Sequence, residues 1–210
     1  MRLTKYAHAC VRIEHDGGVL VVDPGMFAEP AALDGADAVL VTHEHPDHLD
    51  VDAIRAAAKR RPGLAAYGHA AVLEKLADAG VAATPVAVGD SFTAAGVPVR
   101  AYGGQHAVIH PDIPRLVNLG YLIDDRVYHP GDSFAVPADS PVDTLFAPIH
   151  APWLKLSEAV DFVRAVAPRR AFALHDGLLN EAGLNFTNAN MARLAGCEYA
   201  RLEPGTVVPD

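Results

Sequence analysis

The chain has 210 residues, 50% hydrophobic and 20% charged, enough to bury the core of one domain spanning residues 1–210. Its 17 basic and 26 acidic residues leave a formal charge of −9, a field that opposes phosphate, so a nucleic-acid partner is not expected. No run is apolar and long enough for a membrane segment, and Met1–His8 carries no signal core, so the sequence reads as cytoplasmic, with oligomeric state open and a homo-oligomer included.

Residues 10–22 hold an alternating run, the turn Asp16-Gly17-Gly18 and a second apolar run, which together predict a hairpin delivering Asp23-Pro24-Gly25 to a turn. Residues 38–41 predict a buried strand, and 51–61 a helix with Asp50 as cap and Pro62 just beyond. A short strand at 65–67 and a helix at 70–79 closed by Gly80 follow, then strands over 85–102 broken at Gly89-Asp90 and Gly96. In the second half, strands at 117–123 and 127–129 flank Asp124-Asp125, and 144–147 is a later strand. A helix over 157–166 capped by Ser157, a strand at 171–174, a helix at 188–194 and strand-like sequence over 198–208 complete the chain. Hairpins mixed with crossover units predict mixed sheets covered by helices. Cys10 and Cys197, far apart in apparent strands, read as small core residues.

The chemical signature is Thr42-His43-Glu44-His45-Pro46-Asp47-His48-Leu49-Asp50, directly after the apolar run 38–41. His43, His45, Asp47 and His48 offer three neutral imidazoles and a carboxylate within six positions, a donor set that suits borderline first-row cations such as zinc. Four more polar residues stand where apolar runs end: Asp23, His106, Asp132 and His175. Ligands from several strand ends can converge on one rim, and the glycine- and proline-rich turns around them allow close backbone approach.

With these residues in this order, the chain resembles the metallo-β-lactamase superfamily over nearly its whole length. The resemblance implies an α/β fold, a four-layer αβ/βα sandwich of two mixed sheets flanked by helices. It also implies a two-metal site: His43, His45 and His106 on one ion, Asp47, His48 and His175 on the other, Asp132 between them, and Asp23 orienting a ligand. Leu49-Asp50 after His48 departs from the glyoxalase II and ribonuclease Z patterns, and Asp132 stands where one true β-lactamase branch has cysteine, which makes antibiotic hydrolysis a poorer expectation. The His8-Ala9-Cys10-Val11 and Tyr128–Ser133 segments are similar to the ascorbate-6-phosphate-lactonase-like group, which itself resembles the core of N-acyl-phosphatidylethanolamine phospholipase D.

The expected function is metal-dependent hydrolysis of a small molecule, with a hydroxide held by two divalent ions attacking a carbonyl or phosphoryl centre. Zinc leads by donor chemistry, with manganese and iron as alternatives. Asp47 and Asp132 are the expected catalytic carboxylates, Asp47 orienting the nucleophile or relaying a proton. A lactone is the leading substrate, on the resemblance; a small or lipid phosphodiester is the enzymatic alternative, and a metal-dependent binding or sensor protein the non-enzymatic one. His8 and His129 are read as supports around the ligands, and His150, Arg115 and Lys155 as candidate substrate contacts. Trp153, Phe134 and Phe186 are apolar-wall candidates with core packing as the default, while His15 and His69 read as surface or cap residues.

Overall fold

Along residues 18–22, Leu20 and Val22 face one way and Val21 the other, and this alternation sets the layers of the molecule. The computed structural model describes residues 1–208. One seven-stranded sheet contains β1 (Arg2–Lys5), β2 (Val11–His15), β3 (Gly18–Val22), β4 (Ala38–Leu40), β5 (Ala65–Gly68), β6 (Ala83–Pro85) and β14 (Thr206–Val207), ordered β14-β1-β2-β3-β4-β5-β6. The other contains β7 (Ser91–Ala94), β8 (Val97–Gly103), β9 (Leu119–Ile123), β10 (Val127–His129), β11 (Thr144–Pro148), β12 (Arg170–Leu174) and β13 (Glu198–Ala200), ordered β13-β12-β11-β10-β9-β8-β7. In each sheet an antiparallel half gives way to a parallel half: β3 pairs β4 in parallel, as β10 pairs β11.

Leu20, Val22 and Leu40 from the first sheet meet Val99, Tyr121, Phe146 and Leu174 from the second in a dry interlayer core. The outer faces are covered by helices. Val21, Val39 and Val41 pack beneath α1 (Val51–Arg60) and α2 (Ala70–Asp78), where Ile54 and Leu76 are fully buried. Leu145, Ala147 and Ala173 pack beneath α3 (Leu156–Val166) and α4 (Glu181–Leu194), through Phe162, Val163 and Met191. Burying a side chain such as Ile54 contributes about 1.5–3 kcal/mol, so each helix is held mainly by its apolar face. The expected four-layer αβ/βα sandwich is what forms.

Several boundaries differ from the sequence reading. Asp50 caps α1 as expected, accepting from the Ala53 N–H at 2.9 Å. Ser157 does not cap α3: the flanking residue is Lys155, whose backbone N–H is held by the Glu158 carboxylate at 2.9 Å, so the helix starts one residue earlier. Helix α4 begins at Glu181, seven positions before 188, because the Asn180 side chain accepts from the Gly183 N–H and opens an otherwise weak helical sequence. The terminal strand-like run divides, β13 joining one sheet and β14 the other. Among the described residues no helix is long and apolar enough to cross a membrane.

Candidate metal centre

Asp23 follows β3, His43–His48 follow β4, His106 follows β8, Asp132 follows β10 and His175 follows β12, so loops at strand ends bring seven potential ligands and Asp23 to one rim. The backbone there is unusual. His8, Asp23 and His175 have φ of 57°, 47° and 59°, a left-handed conformation that costs non-glycine residues energy and is concentrated at functional sites. Gly25 lets the 23–28 turn lie against the histidine loop, since a Cβ there would come within 1.9 Å of the Asp47 carbonyl oxygen. A Cβ on Gly131 would likewise meet the Asn118 side chain at 2.4 Å. These two glycines allow the loops to close on one another.

The hydrogen bonds fix which nitrogen each imidazole presents inward. His48 Nδ1 donates to Asp23 Oδ2 at 2.7 Å, His106 Nδ1 to the Ala107 carbonyl at 2.6 Å, and His175 Nδ1 to the His150 carbonyl at 2.6 Å. His43 Nδ1 lies 3.0 Å from Thr42 Oγ1, which itself donates to Asp23 Oδ2 at 2.7 Å. The opposite nitrogens of His48, His106 and His175, with Asp132 Oδ1, are buried and have no hydrogen-bond partner. His43 Nε2 and His45 Nδ1 are 3.0 Å apart, a separation at which two lone pairs repel unless a proton or cation lies between them. Rings anchored on one side with unpartnered donors on the other make the pattern of imidazoles oriented for metal ions.

These atoms form two groups. His43, His45, His106 and Asp132 have donors within 4.8 Å of one another, and so do His8, Asp47, His48 and His175. Asp132 lies between them: Oδ1 is 3.1 Å from His48 Nε2, and Oδ2 is 3.3 Å from both His106 Nε2 and His175 Nε2. The second group has a member placed outside the ligand set by the sequence reading, because His8 Nε2 reaches Asp47 Oδ2 at 3.1 Å while His8 Nδ1 accepts from the Gly177 N–H at 3.1 Å.

Electrostatics divide the groups further. Burial, followed by the His48 charge, pushes His43 well below the usual imidazole range, and burial lowers His45 as well. Burial would also lower His48 and His175, but the facing carboxylates outweigh it. Asp132 and Asp23 hold His48 well above its usual value, and Asp132 with Asp47 brings His175 up to about 9. Burial opposes ionisation of Asp47, yet the facing His175 imidazole at 3.3 Å and the hydrogen bond from His8 hold its carboxyl far below the usual range. His8 is brought down to about 4, chiefly by burial, so at neutral pH it donates from Nε2 as an uncharged ring.

Of the remaining sequence candidates, His129 is buried, its Nε2 donating to the Ala9 carbonyl at 2.8 Å and its Nδ1 accepting from the Gly131 N–H at 3.2 Å, which ties the Asp132 turn to the β1–β2 loop. His150 contributes its carbonyl to His175, and its half-buried ring is lowered by burial. Arg115 donates from Nε to the His106 carbonyl at 2.9 Å. Lys155 stands exposed at the start of α3 and lines neither of the cavities beside the centre that Arg115 lines. His69 is not a surface residue; it is buried before α2 with Nε2 at 3.2 Å from Glu44 Oε2. Phe186 is 67% exposed on α4 and walls nothing, whereas Phe134 and Trp153 share a cavity wall.

Sequence reasoning passed over Thr42 and Asn118, and it named Trp153 only as an apolar-wall candidate, not as a partner of Asp132. The Trp153 indole N–H donates to Asp132 Oδ2 at 3.0 Å, and Asn118 Oδ1 accepts from the Asp132 N–H at 2.9 Å. Thr42 uses both its N–H and its hydroxyl to fix Asp23, each at 2.7 Å. The position of Thr42 directly before the histidine string was the available signal; Trp153 had none, because its role depends on how residues 149–155 fold back toward Asp132.

Residues 2–175 match the family described as the Beta-lactamase superfamily domain. The chain is 41% identical over 185 residues to the protein Rv0786c of Mycobacterium tuberculosis, covering 85% of each. It is 27% identical over 138 residues to a UPF0173 metal-dependent hydrolase of Methanocaldococcus jannaschii, covering 62% of this chain and 60% of that relative. Its fold superposes on Igni18, a metallo hydrolase from Ignicoccus hospitalis, with a TM-score of 0.76 at 20% identity, covering 99% of this chain and 97% of the other. The ordered ligand motifs, the paired seven-stranded sheets and the family match converge: this chain belongs to the metallo-β-lactamase superfamily.

Proposed function

We propose that this protein is a metal-dependent hydrolase holding two divalent ions, zinc by preference, and that it cleaves a small ester, foremost a lactone. The observation that carries the reading is the set of buried ligand atoms on His48, His106, His175 and Asp132 that make no hydrogen bond yet face one another at 3.1 to 3.3 Å, each imidazole anchored through its other nitrogen. His43, His45 and His106 would hold one ion, Asp47, His48 and His175 the other, and Asp132 would contact both. When bound, such ions lower the proton affinity of water and neutralise charge on the oxygen of the attacked carbonyl.

The chain's own residues supply orientation. Asp132 is nearly sealed from solvent and held by Trp153, so it serves as a fixed strut. The Asp47 side chain retains 23% exposure, and His8 fixes its Oδ2, leaving Oδ1 to accept a hydrogen bond from the attacking water and orient it. Asp23 binds His48 Nδ1 and both Thr42 donors, which locks the histidine loop before any substrate arrives. The lactone preference rests on likeness to the ascorbate-6-phosphate-lactonase-like group, because a dinuclear site of this kind serves carboxyl and phosphoryl esters alike.

Zinc-replete protein assayed against lactone, thioester and phosphodiester panels tests the reading. Lactone turnover abolished by chelation is expected. Phosphodiester turnover alone would replace the substrate class, and retention of zinc without turnover of any panel would make the protein a metal-dependent binder.

A further inference from the structure

Arg115 lies between β8 and β9 with its Nε–H fixed on the His106 carbonyl at 2.9 Å. That bond orients the guanidinium beside a metal-centre histidine. Neither terminal NH2 group has a hydrogen-bond or ion-pair partner among the described residues. Several arginines are committed to carboxylates, such as Arg100 to Asp125 at 2.8 Å, Arg169 to Asp143 at 2.7 Å and Arg201 to Asp176 at 2.7 Å, whereas Arg164 and Arg193, like Arg115, have none among the described residues. What sets Arg115 apart from these is its place, bonded to the His106 backbone and lining the cavities beside the centre.

Arg115 lines three cavities, of which one is walled by Glu44, His69 and Glu74 and the other two lie beside the centre. One, of about 190 Å³, is lined by His45, His106, Ile109, Ile113 and Leu116. The other, of about 690 Å³, is lined by Val108, Ser133, Phe134, Trp153 and Glu158. Arg115 and Ala107 line both, so the guanidinium stands between a wall of candidate ligands and an apolar wall that includes the indole bonded to Asp132. A molecule with its scissile ester at His45 and His106 would extend past Arg115 toward Phe134 and Trp153.

We propose, on the basis of the hydrolase reading above, that the substrate carries an anionic group, a carboxylate or a phosphoryl, and that Arg115 binds it. A planar guanidinium anchored through Nε still presents two N–H groups suited to a two-oxygen acceptor. The overall charge of −9 repels anions at long range, so recognition relies on these short bonds. Glu158 shares the larger cavity and repels an anion; its Oε2 is tied to the Lys155 N–H, which leaves the Arg115 end as the anion's place. The group is remote from the reacting carbonyl, so its bonds are equally strong in ground and transition states and act on KM rather than kcat.

Trp153 is the chain's one tryptophan and lines the larger cavity, so its fluorescence reports occupancy directly. Zinc-loaded wild type, Arg115→Gln and Arg115→Lys, checked for equal zinc content, are titrated with 3-phenylpropionate against its neutral amide and with phenyl phosphate against benzyl alcohol. Wild type is expected to bind at least one anion about tenfold or more tighter than its neutral counterpart, the scale of a hydrogen bond to a charged group. Arg115→Gln should abolish that preference and Arg115→Lys restore part of it; the larger of the two preferences identifies carboxylate or phosphoryl. Absence of a preference in wild type, or its persistence in Arg115→Gln, overturns the assignment. Ester turnover by wild type is read separately: turnover without anion preference keeps the hydrolase reading and rejects Arg115, whereas an Arg115-dependent preference without turnover of any ester does the reverse.

Discussion

The two donor groups of the centre differ in the company their imidazoles keep. His43 and His45 face other rings, with His43–His48 centroids 4.1 Å apart and His45–His106 centroids 5.0 Å apart, and burial lowers both basicities. His48 and His175 sit among Asp23, Asp47 and Asp132, which overcome burial and raise both. The two candidate donor groups therefore differ in their proton demands. At neutral pH His43 and His45 present uncharged nitrogens, while His48 and His175 would have to release protons to bind an ion. The lesson is that ligand identity alone does not set metal affinity; the carboxylates behind and between the rings decide which half fills without proton loss.

The largest effect should come from removing the group the halves share. Asp132→Ala is expected to lower lactone turnover by at least about 100-fold and to deplete bound metal, since supporting residues alone are worth about 10- to 100-fold. A variant with wild-type rate and metal content would show that the halves do not depend on Asp132.

Single-ligand variants separate the halves. His106→Ala and His175→Ala should each lose most turnover, by more than about tenfold, while staying folded, because loop ligands lie outside the interlayer core. Proton release on zinc uptake should fall in His175→Ala, where His48 alone keeps a raised proton affinity, and persist undiminished in His106→Ala, as measured by calorimetry in buffers of different ionisation enthalpy. Equal proton release in the two variants would erase the distinction.

What could be read from the sequence follows from how local each feature is. The His43–His48 string is contiguous, and Asp23, His106, Asp132 and His175 each end an apolar run, so periodicity and spacing exposed them. Trp153 meets Asp132 across 21 residues, and His8 meets Asp47 across 39, through a left-handed backbone at a non-glycine position; neither has a local signature. Helix α4 was half missed because Gly183, Asn185 and Thr187 are weak helix formers, overruled by the Asn180 cap and the burial of Met191. The final run divides between sheets because Pro204-Gly205 turns the chain back, the Gly205 N–H bonding to the Lys5 carbonyl.

A smaller effect is expected at Asp23→Asn, which keeps the shape but removes the charge behind His48. Turnover should fall about tenfold, and His48 should hold its proton less firmly, reducing proton release on zinc binding. An unchanged rate and proton count would mean that Thr42 alone holds the loop.

The smallest effect is on the stability of the metal-free protein. His175 is raised from 6.5 to about 9, so its contribution is complete below pH 6.5 and is lost as pH rises through 9. Melting temperatures of chelated protein should decline across that window, and zinc-loaded protein should not follow. A metal-free melting temperature that rises over the same interval would contradict the assignment of His175 to the carboxylate-flanked half.

Zinc titration of metal-free wild type at pH 8, with bound zinc determined by elemental analysis and heat followed calorimetrically, tests the two-half centre most directly. Two ions per chain are expected, one entering with little proton release and one releasing protons from the His48 and His175 side. A single ion at saturation, or two ions whose affinities show the same independence of pH, would contradict it.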